Sequence, residues 1–218
     1  MRRSLIGLAV MGFTVLSIAV PASAASGQVT QFRFHGTFAE AFSFTRTKTS
    51  FTDISVSAVK AKQGSQLFAD VFQGRLKNGQ FLGGTDTSLR GPGGKNFLTS
   101  GFAFAISVPK LADASVSGSG LPARTCTIDA NGNQTGCKRT TLSLNVTWTG
   151  HGPITRTVSN FHMKTAGFSM SSHSSGTDRA ATATGTVAGR TLTAKQQQFA
   201  DLGTAKSADI KRCIGNAC

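Results

Sequence analysis

The chain of 218 residues has no tyrosine, one tryptophan and only nine acidic residues, against 23 lysines and arginines. Glu40 is its only glutamate, and the aspartates are scattered along the chain, most of them next to turns. Cleavage of a glycosidic bond needs two carboxyl groups that face each other across a cleft. No pair stands out, so the composition argues against a sugar-cleaving enzyme.

Motifs for nucleophilic catalysis are also missing. The chain has no Gly-x-Ser-x-Gly turn, which would expose a serine nucleophile. Ser57-Ala58-Val59-Lys60 has the Ser-x-x-Lys spacing that places a lysine beside a serine on a helix. Here the segment alternates as a strand does, and residues three apart on a strand face opposite sides. The sequence therefore predicts no catalytic residue.

No apolar run reaches the roughly 20 residues that cross a bilayer. The longest run, residues 5–20, follows Arg2 and Arg3 and precedes Pro21-Ala22-Ser23-Ala24. A positive start, an apolar middle and a small-x-small exit predict a secretory signal peptide over residues 1–24, cleaved after Ala24. We therefore expect an extracellular protein, exported across a bacterial cytoplasmic membrane. A membrane helix is the alternative that the short run disfavours.

Removal of 24 residues from 218 leaves 194, a length that suits one all-β domain over residues 25–218. A subdivision near residues 118–122 is the alternative. Arg2 and Arg3 leave with the signal peptide, so the formal net charge falls from +14 to +12.

Four cysteines remain, and an even number in an exported protein predicts two disulfides. We favour Cys126–Cys137, which encloses a turn-rich segment, and Cys213–Cys218, which would clip the C-terminal tail. Spacings of eleven and five residues are poor for zinc ligands, so no metal site and no cofactor are predicted.

The dominant hydrophobic period is two, which indicates half-buried strands. It appears in four groups: Leu142, Leu144, Val146 and Trp148; Phe102, Phe104, Ile106 and Val108; Ile54, Val56 and Ala58; and Phe32, Phe34 and Phe38 with Gly36. The spacing of Leu67, Phe68, Val71 and Phe72 also suits a short helix, and the Gln73-Gly74 that follows favours a strand.

Turn sequences separate these runs, including Lys77-Asn78-Gly79, Asn131-Gly132-Asn133 and Ala188-Gly189-Arg190. We predict about ten strands in an all-β antiparallel meander. Such strands can bury their apolar faces and remove their edges by closing into a barrel, with a barrel-like sandwich as the alternative. The phenylalanines fall mostly on the predicted inward positions, which would leave a Phe-rich interior.

Three histidines, His151, His162 and His173, are eleven residues apart, and on neighbouring strands they could line up at a metal. Independent exposed side chains are the interpretation we prefer. Asp129-Ala130-Asn131-Gly132-Asn133 places oxygen atoms at alternate positions as calcium loops do. The glycine and acid that complete such a loop are replaced by Gln134 and Thr140, so we predict a hairpin turn.

The basic excess is dispersed in short pairs rather than gathered in one arm: Lys60 with Lys62, Arg75 with Lys77, Lys138 with Arg139, and Lys211 with Arg212. Such a charge attracts polyanions over long range. Anionic polymers and anionic lipid surfaces are therefore candidate partners, while solubility alone is the alternative reason for the charge. Specific nucleic-acid recognition is not expected, because it would need exposed aromatic platforms.

Two segments, Trp148-Thr149-Gly150-His151-Gly152 and Arg179-Ala180-Ala181-Thr182-Ala183-Thr184-Gly185, resemble segments of exported bacterial β-rich proteins. Those proteins pair a Trp-x-Gly-x-Gly strand end with a later alanine-rich strand that begins at arginine and ends at glycine. The resemblance covers about the C-terminal third, implies an exported β fold and implies no activity.

Three functions remain open. The first is a secreted, non-enzymatic binding or structural protein that engages anionic envelope or extracellular polymers. The second is a carrier of a small apolar ligand inside a barrel. The third is a hydrolase or metal enzyme with a site assembled from distant residues. The candidate ligand-binding residues are Trp148, His151, His162, His173 and Arg179.

Overall fold

The computed structural model describes residues 29–165, 168–193 and 197–214, with the side chains of residues 35–162, 171, 173–193 and 199–207. The predicted signal peptide lies outside these ranges. In the described ranges no helix has the length and hydrophobicity to span a membrane.

Long antiparallel strands make up most of the described chain, joined by short turns and one 3₁₀ turn at Pro92–Gly94. In chain order the strands are β1 Val29–Arg46, β2 Ser50–Ala61, β3 Gly64–Lys77, β4 Gln80–Leu89, β5 Ala103–Ile106, β6 Asp113–Ile128, β7 Gln134–Gly150, β8 Thr155–Thr165, β9 Phe168–Val187, β10 Arg190–Leu192 and β11 Gln197–Ile214. The ambiguous segment around Leu67 is thus a strand, within β3.

Eight strands pair in a closed ring, in the order β1, β2, β3, β4, β6, β7, β9, β11 and back to β1. Because this is also their order along the chain, the predicted antiparallel meander is confirmed, and its shape is barrel-like. The three remaining strands lie beside the ring, since β5 pairs with β6, and β8 and β10 pair with β9.

Tight turns set the register of the hairpins. Asn78 and Gly79 between β3 and β4, and Ala188 and Gly189 between β9 and β10, all have positive φ angles. Two successive residues of this kind form a turn whose twist matches that of antiparallel strands. The turn predictions at these two positions are therefore explained by backbone geometry.

One face of all eight ring strands is buried, and it forms the interior of the ring. Its side chains include Ala39 and Ala41 on β1, Ile54, Val56 and Ala58 on β2, Leu67, Ala69 and Val71 on β3, Leu89 on β4, Leu121 and Ala123 on β6, Leu142, Leu144, Val146 and Trp148 on β7, Ala181, Ala183 and Val187 on β9, and Ala200 and Leu202 on β11. The inward parity predicted for β2 and β7 is confirmed. Side chains fill this interior.

The expectation of a Phe-rich interior is wrong for β1 to β3. On β1 the buried side chains are Ala39, Ala41 and Ser43, so Phe38 and Phe42 lie on the outer face. An eight-stranded ring has little more room than its own side chains fill. Trp148 and the leucines of the opposite wall occupy that room, so β1 presents small residues to it.

The inward pattern predicted for Phe102, Phe104, Ile106 and Val108 is corrected at its last residue. Val108 does not continue the inward pattern, because β5 ends at Ile106 and the chain turns back through a bond from the Leu111 amide to the Ser107 carbonyl, 2.8 Å long. Val108 is 51% exposed. The segment 118–122 lies inside β6, where the pairing with β7 shifts between Gly118 and Leu121.

Candidate functional site

Trp148 is 1% exposed and lies inside the ring. Its indole Nε1–H donates a hydrogen bond of 2.8 Å to the carbonyl oxygen of Glu40, across the interior on β1. The side chain therefore joins two walls of the core. It has no surface on which a ligand could be bound.

Arg179 also has a structural contact set. Its Nε donates to the carbonyl oxygen of Gly152 at 3.1 Å, and its Nη1 donates to that of Lys110 at 2.9 Å. The guanidinium group thus ties the segment after β7 to the loop before β6. Both hydrogen bonds are made to backbone carbonyl oxygens, so the role of the Arg179 side chain in this fold is structural.

The two segments that resemble exported β-rich proteins lie side by side. Trp148 pairs with Ala183, and Gly150 pairs with Ala181. A Cβ atom on Gly150 would lie 2.2 Å from the carbonyl oxygen of Leu111, so only glycine fits this close approach. The paired segments therefore form a packed corner of the ring.

The three histidines are not brought together. His151 is exposed after β7. On the paired strands, His162 of β8 is directly opposite Ser171 of β9, and His173 of β9 is directly opposite Asn160 of β8. These two histidines are therefore diagonal neighbours on one face. His173 Nδ1 is hydrogen-bonded to Asn160 Oδ1. Among the described side chains no group of three His, Cys, Asp or Glu residues could hold a metal ion.

The Asp129 loop is a hairpin turn. Asp129 Oδ1 accepts hydrogen bonds from the amides of Asn133 at 2.8 Å and Asn131 at 2.9 Å. These bonds, with that of Asn133 the strongest, lower the pKa of Asp129 from its usual value. The carboxylate is thus used to close the turn between β6 and β7.

The disulfide Cys126–Cys137 is present, so this part of the prediction is confirmed. The two cysteines lie directly opposite each other on β6 and β7, where their Cα atoms are 4.0 Å apart. Since the two sulfurs are bonded, they are not zinc ligands. The predicted Cys213–Cys218 pair lies outside the described side chains.

Five exposed cations meet at one end of the ring: Arg46 and Lys48 at the β1–β2 turn, Arg75 and Lys77 at the β3–β4 turn, and Arg190 at the β9–β10 turn. We call this set the cationic end. The Leu76 amide donates to the Thr49 carbonyl at 2.7 Å, which joins the first two turns. Arg190 Nη2 donates to Gln73 Oε1 at 3.0 Å, which joins the third.

The other basic pairs lie elsewhere. Lys60 and Lys62 are at the β2–β3 turn, which is the opposite end of the ring, and Lys138 with Arg139 is on β7. The side chains of Lys211 and Arg212 are outside the described set. Folding therefore concentrates only part of the dispersed positive charge at the cationic end. Its residues come from separate segments of the sequence.

An open pocket of about 420 Å³ lies on the outer face of β2, β3, β4 and the β6–β7 hairpin. We call it the outer-face pocket, and it is lined by Phe51, Asp70, Phe72, Phe81, Asp86, Ile128, Gly132 and Gln134. Directly paired residues run across the strands from Phe51 through Gly74 and Gly84 to Ile128. The Phe51 ring lies over Gly74, since a Cβ atom on this glycine would be 2.2 Å from the ring.

Two polar side chains on one wall of the pocket are linked to the disulfide-clipped hairpin. Gln134 Nε2 donates to Asp86 Oδ2 at 3.2 Å, and Gln134 Oε1 accepts from Arg124 Nη2 at 3.2 Å. Asp86 also lies directly opposite Cys126. The hairpin therefore holds the amide that positions the Asp86 carboxylate.

Asp70 is the second acid of the pocket. Burial raises the pKa of Asp70 to about 8, and a hydrogen bond with Asp86 and the negative charges of Asp86 and Asp53 act in the same direction. The positive charge of Arg90 opposes the shift. The Asp70 carboxyl group therefore holds a proton at neutral pH.

A second group of acids lies further along the outer face. Glu40 on β1 is directly opposite Asp201 on β11, and Asp178 is nearby on β9. Burial raises the pKa of Asp201 to about 7, helped by the charges of Glu40 and Asp178. Burial also raises the pKa of Glu40, although a 3.0 Å bond from the Ser57 hydroxyl works against it.

The sequence interpretation missed the outer-face pocket because it placed the phenylalanines inside the ring. One signal in the sequence was that acidic and aromatic residues lie two positions apart, and therefore on the same face of a strand, as in Asp70 with Phe72 and Glu40 with Phe42. Since an unpaired acid avoids an apolar interior, that parity indicates an outer face.

The chain matches no protein-family model, no curated protein and no solved structure. Its function is therefore argued from its own geometry.

Proposed function

We propose that this protein is an exported, non-enzymatic binding protein that holds acidic polymers of the cell envelope or its surroundings through the cationic end. The observation that supports this proposal is the meeting of five exposed cations from three separate turns. A rim of like charges creates a potential that concentrates a polyanion nearby.

Export supports the same proposal. The leader-like N-terminus predicts a mature chain outside the cytoplasm. The Cys126–Cys137 disulfide is stable in an oxidising compartment. There an acidic polysaccharide is a polymer of repeated carboxylate or sulfate groups, and a rim can contact several of them at once.

Binding of this kind depends on salt. Each bound cation releases counterions from the polymer, so affinity falls steeply as the salt concentration rises. We expect the affinity for dextran sulfate to fall at least about tenfold between roughly 50 and 200 mM NaCl.

The test compares two variants of equal net charge by titration with dextran sulfate. The first carries Arg46→Gln, Lys48→Gln, Arg75→Gln and Lys77→Gln. The matched control carries glutamine at Lys60, Lys62, Lys110 and Lys206, which are also exposed. We expect the first variant to lose at least about ten times more affinity than the control, as the local contacts predict.

Equal losses in the two variants would show that only net charge matters, and the cationic end would be rejected as the binding site. A salt-independent affinity of the unmodified protein would reject the electrostatic proposal itself.

The carrier alternative has a structural difficulty, because side chains fill the ring interior where the apolar ligand was expected. For a hydrolase or metal enzyme, the candidate histidines are not gathered in one cleft. Neither alternative has a supporting observation comparable to the cationic end.

A further inference from the structure

We propose that the outer-face pocket binds the ammonium group of a primary amine whose apolar body packs on the aromatic wall of the pocket. An arylalkylamine is the simplest member of this class. The inference is separate from polymer binding, since it concerns a different surface and a ligand of opposite charge.

The aromatic wall is continuous. The ring centroids of Phe51 and Phe72 are 5.4 Å apart, and Phe81 lies 6.0 Å from each of them. The rings are tilted by 47° to 58° to one another, so they form a packed surface rather than a stack. With Ile128, they give the apolar lining that small-molecule sites require, and 420 Å³ lies within the usual volume of such sites.

The carboxyl groups of the pocket determine which polar group a ligand must carry. Apart from the hydrogen bond between Asp70 and Asp86, the buried atoms Asp86 Oδ1 and Asp53 Oδ1 have no donor in the described part of the chain. A buried acceptor without a donor is unfavourable. A primary ammonium group carries three N–H donors and a positive charge, so it would donate to Asp86 and take the place of the proton on Asp70.

The charge of Arg90 acts on these acids, but the nearby cations make no hydrogen bond to them in the described part of the chain. Arg90 Nη1 donates to Asn96 Oδ1, and Arg124 Nη2 donates to Gln134 Oε1. Both hydrogen bonds thus go to side-chain amide oxygens and not to carboxylates. Their charges, and that of Arg46 paired with Phe51 at the edge of the pocket, oppose a bound cation over longer range.

The proton on Asp70 competes with the amine. Below a pKa of about 8 the free protein holds this proton, and a bound cation displaces it. Affinity should therefore rise from pH 6 to pH 8, by at most about tenfold for each pH unit. The amine itself stays charged over this range, as lysine does.

The test is titration calorimetry of the mature chain, residues 25–218, with 2-phenylethylammonium chloride. The neutral analogue 2-phenylethanol is the matched ligand. We expect the amine to bind at pH 8 at least about tenfold more tightly than the alcohol, as charge-assisted hydrogen bonds predict. Runs in buffers of different ionisation enthalpy at pH 7 should report release of one proton.

Asp86→Asn and Asp70→Asn keep the side-chain shape and should each weaken amine binding at least about tenfold. Asp113→Asn, at an exposed position on β6, is the matched control and should leave it unchanged. Neither asparagine variant should change dextran sulfate binding. The cationic-end variant should lose no amine affinity, because the Arg46 charge that it removes opposes a bound cation. Failure of one proposal is thus distinguishable from failure of the other.

Absence of amine binding, equal affinity for the alcohol, or binding without proton release would each overturn the proposal. The last two measurements use the unmodified protein, so they decide the matter even if an asparagine variant does not fold.

Discussion

The inner and outer faces of the ring belong to the same strands but carry different side chains. The inner face is built from alanine, valine, isoleucine and leucine around Trp148. The outer face of β1 to β3 carries phenylalanine and carboxyl groups in alternation, as in Phe38, Glu40 and Phe42. The interior of an eight-stranded ring admits little volume. Available volume therefore decides which face an apolar residue takes, and hydrophobicity alone does not.

The outer face compensates for its exposure by covering glycine with aromatic rings. A Cβ atom on Gly74 would lie 2.2 Å from the ring of Phe51, and one on Gly203 would lie 2.2 Å from the ring of Phe38. Each phenylalanine is the direct cross-strand partner of the glycine that it covers. This arrangement buries apolar surface on a face that is otherwise open to solvent.

The comparison of the two faces predicts that the largest loss of stability comes from the inside. Trp148→Ala would leave a cavity and remove the bond to the Glu40 carbonyl, so we expect the free energy of unfolding to fall by about 3–5 kcal/mol. Urea unfolding followed by circular dichroism measures it. Trp148→Phe should lower the free energy of unfolding less than Trp148→Ala does. Equal losses in the two variants would mean that stability does not depend on the volume of the indole ring.

The disulfide on the outer face should contribute the next largest effect. The Cys126–Cys137 bond closes a loop with a sequence separation of 11. Replacing both cysteines by alanine should lower the free energy of unfolding by about 2–3 kcal/mol, through the greater freedom of the unfolded chain. The measurement is the urea midpoint without reductant. An unchanged midpoint would show that the hairpin is held by its strands alone.

The buried acids of the outer face should make stability depend on pH. The pKa of Asp201 rises from 3.8 to about 7 on folding, so between these values the folded protein holds a proton that the unfolded chain has released. The stability that Asp201 contributes is therefore fully present below about pH 3.8 and is lost as the pH rises through about 7, by on the order of 2 kcal/mol. Thermal melts across this range measure it.

Asp201→Asn should reduce the slope of that pH profile, because asparagine does not titrate, and Asp70 should maintain the remaining slope. Asp113→Asn, at an exposed position, should leave the slope as it is. A slope that Asp201→Asn leaves unchanged would assign the whole pH dependence to other groups, of which Asp70 is the first candidate.

The smallest effect is expected on the exposed part of the outer face. Phe68 is 36% exposed on β3, next in sequence to the fully buried Leu67. Phe68→Ser should change the free energy of unfolding by less than about 1 kcal/mol, whereas Leu67→Ala should cost about 2–5 kcal/mol. Urea unfolding of both variants checks the pair. Similar costs would contradict the assignment of the two faces.

Much of the fold was predictable because it rests on local patterns. The alternation of Leu142, Leu144, Val146 and Trp148 with polar residues indicated a half-buried strand. Asn78-Gly79 indicated a tight hairpin, because its backbone needs positive φ angles. The parity of β1 was not predictable in this way, since Ala39 and Phe38 are both apolar and only the opposite wall distinguishes them.

The candidate sites were less accessible from sequence. The cationic end joins Arg46, Arg75 and Arg190, which are far apart in the chain and meet only because the ring brings alternate turns to one end. The pocket depends on Gly74 and Gly84 lying opposite each other. No local signal shows such register, because pairing between strands is set by the whole sheet.

The sequence by itself determined the strands, the tight turns and the basic excess, because each follows from neighbouring residues or from composition. Only the tertiary structure decided which face each phenylalanine takes, which cations meet and where the acids are buried. These depend on ring closure, which fixes the space inside and the distances across the chain.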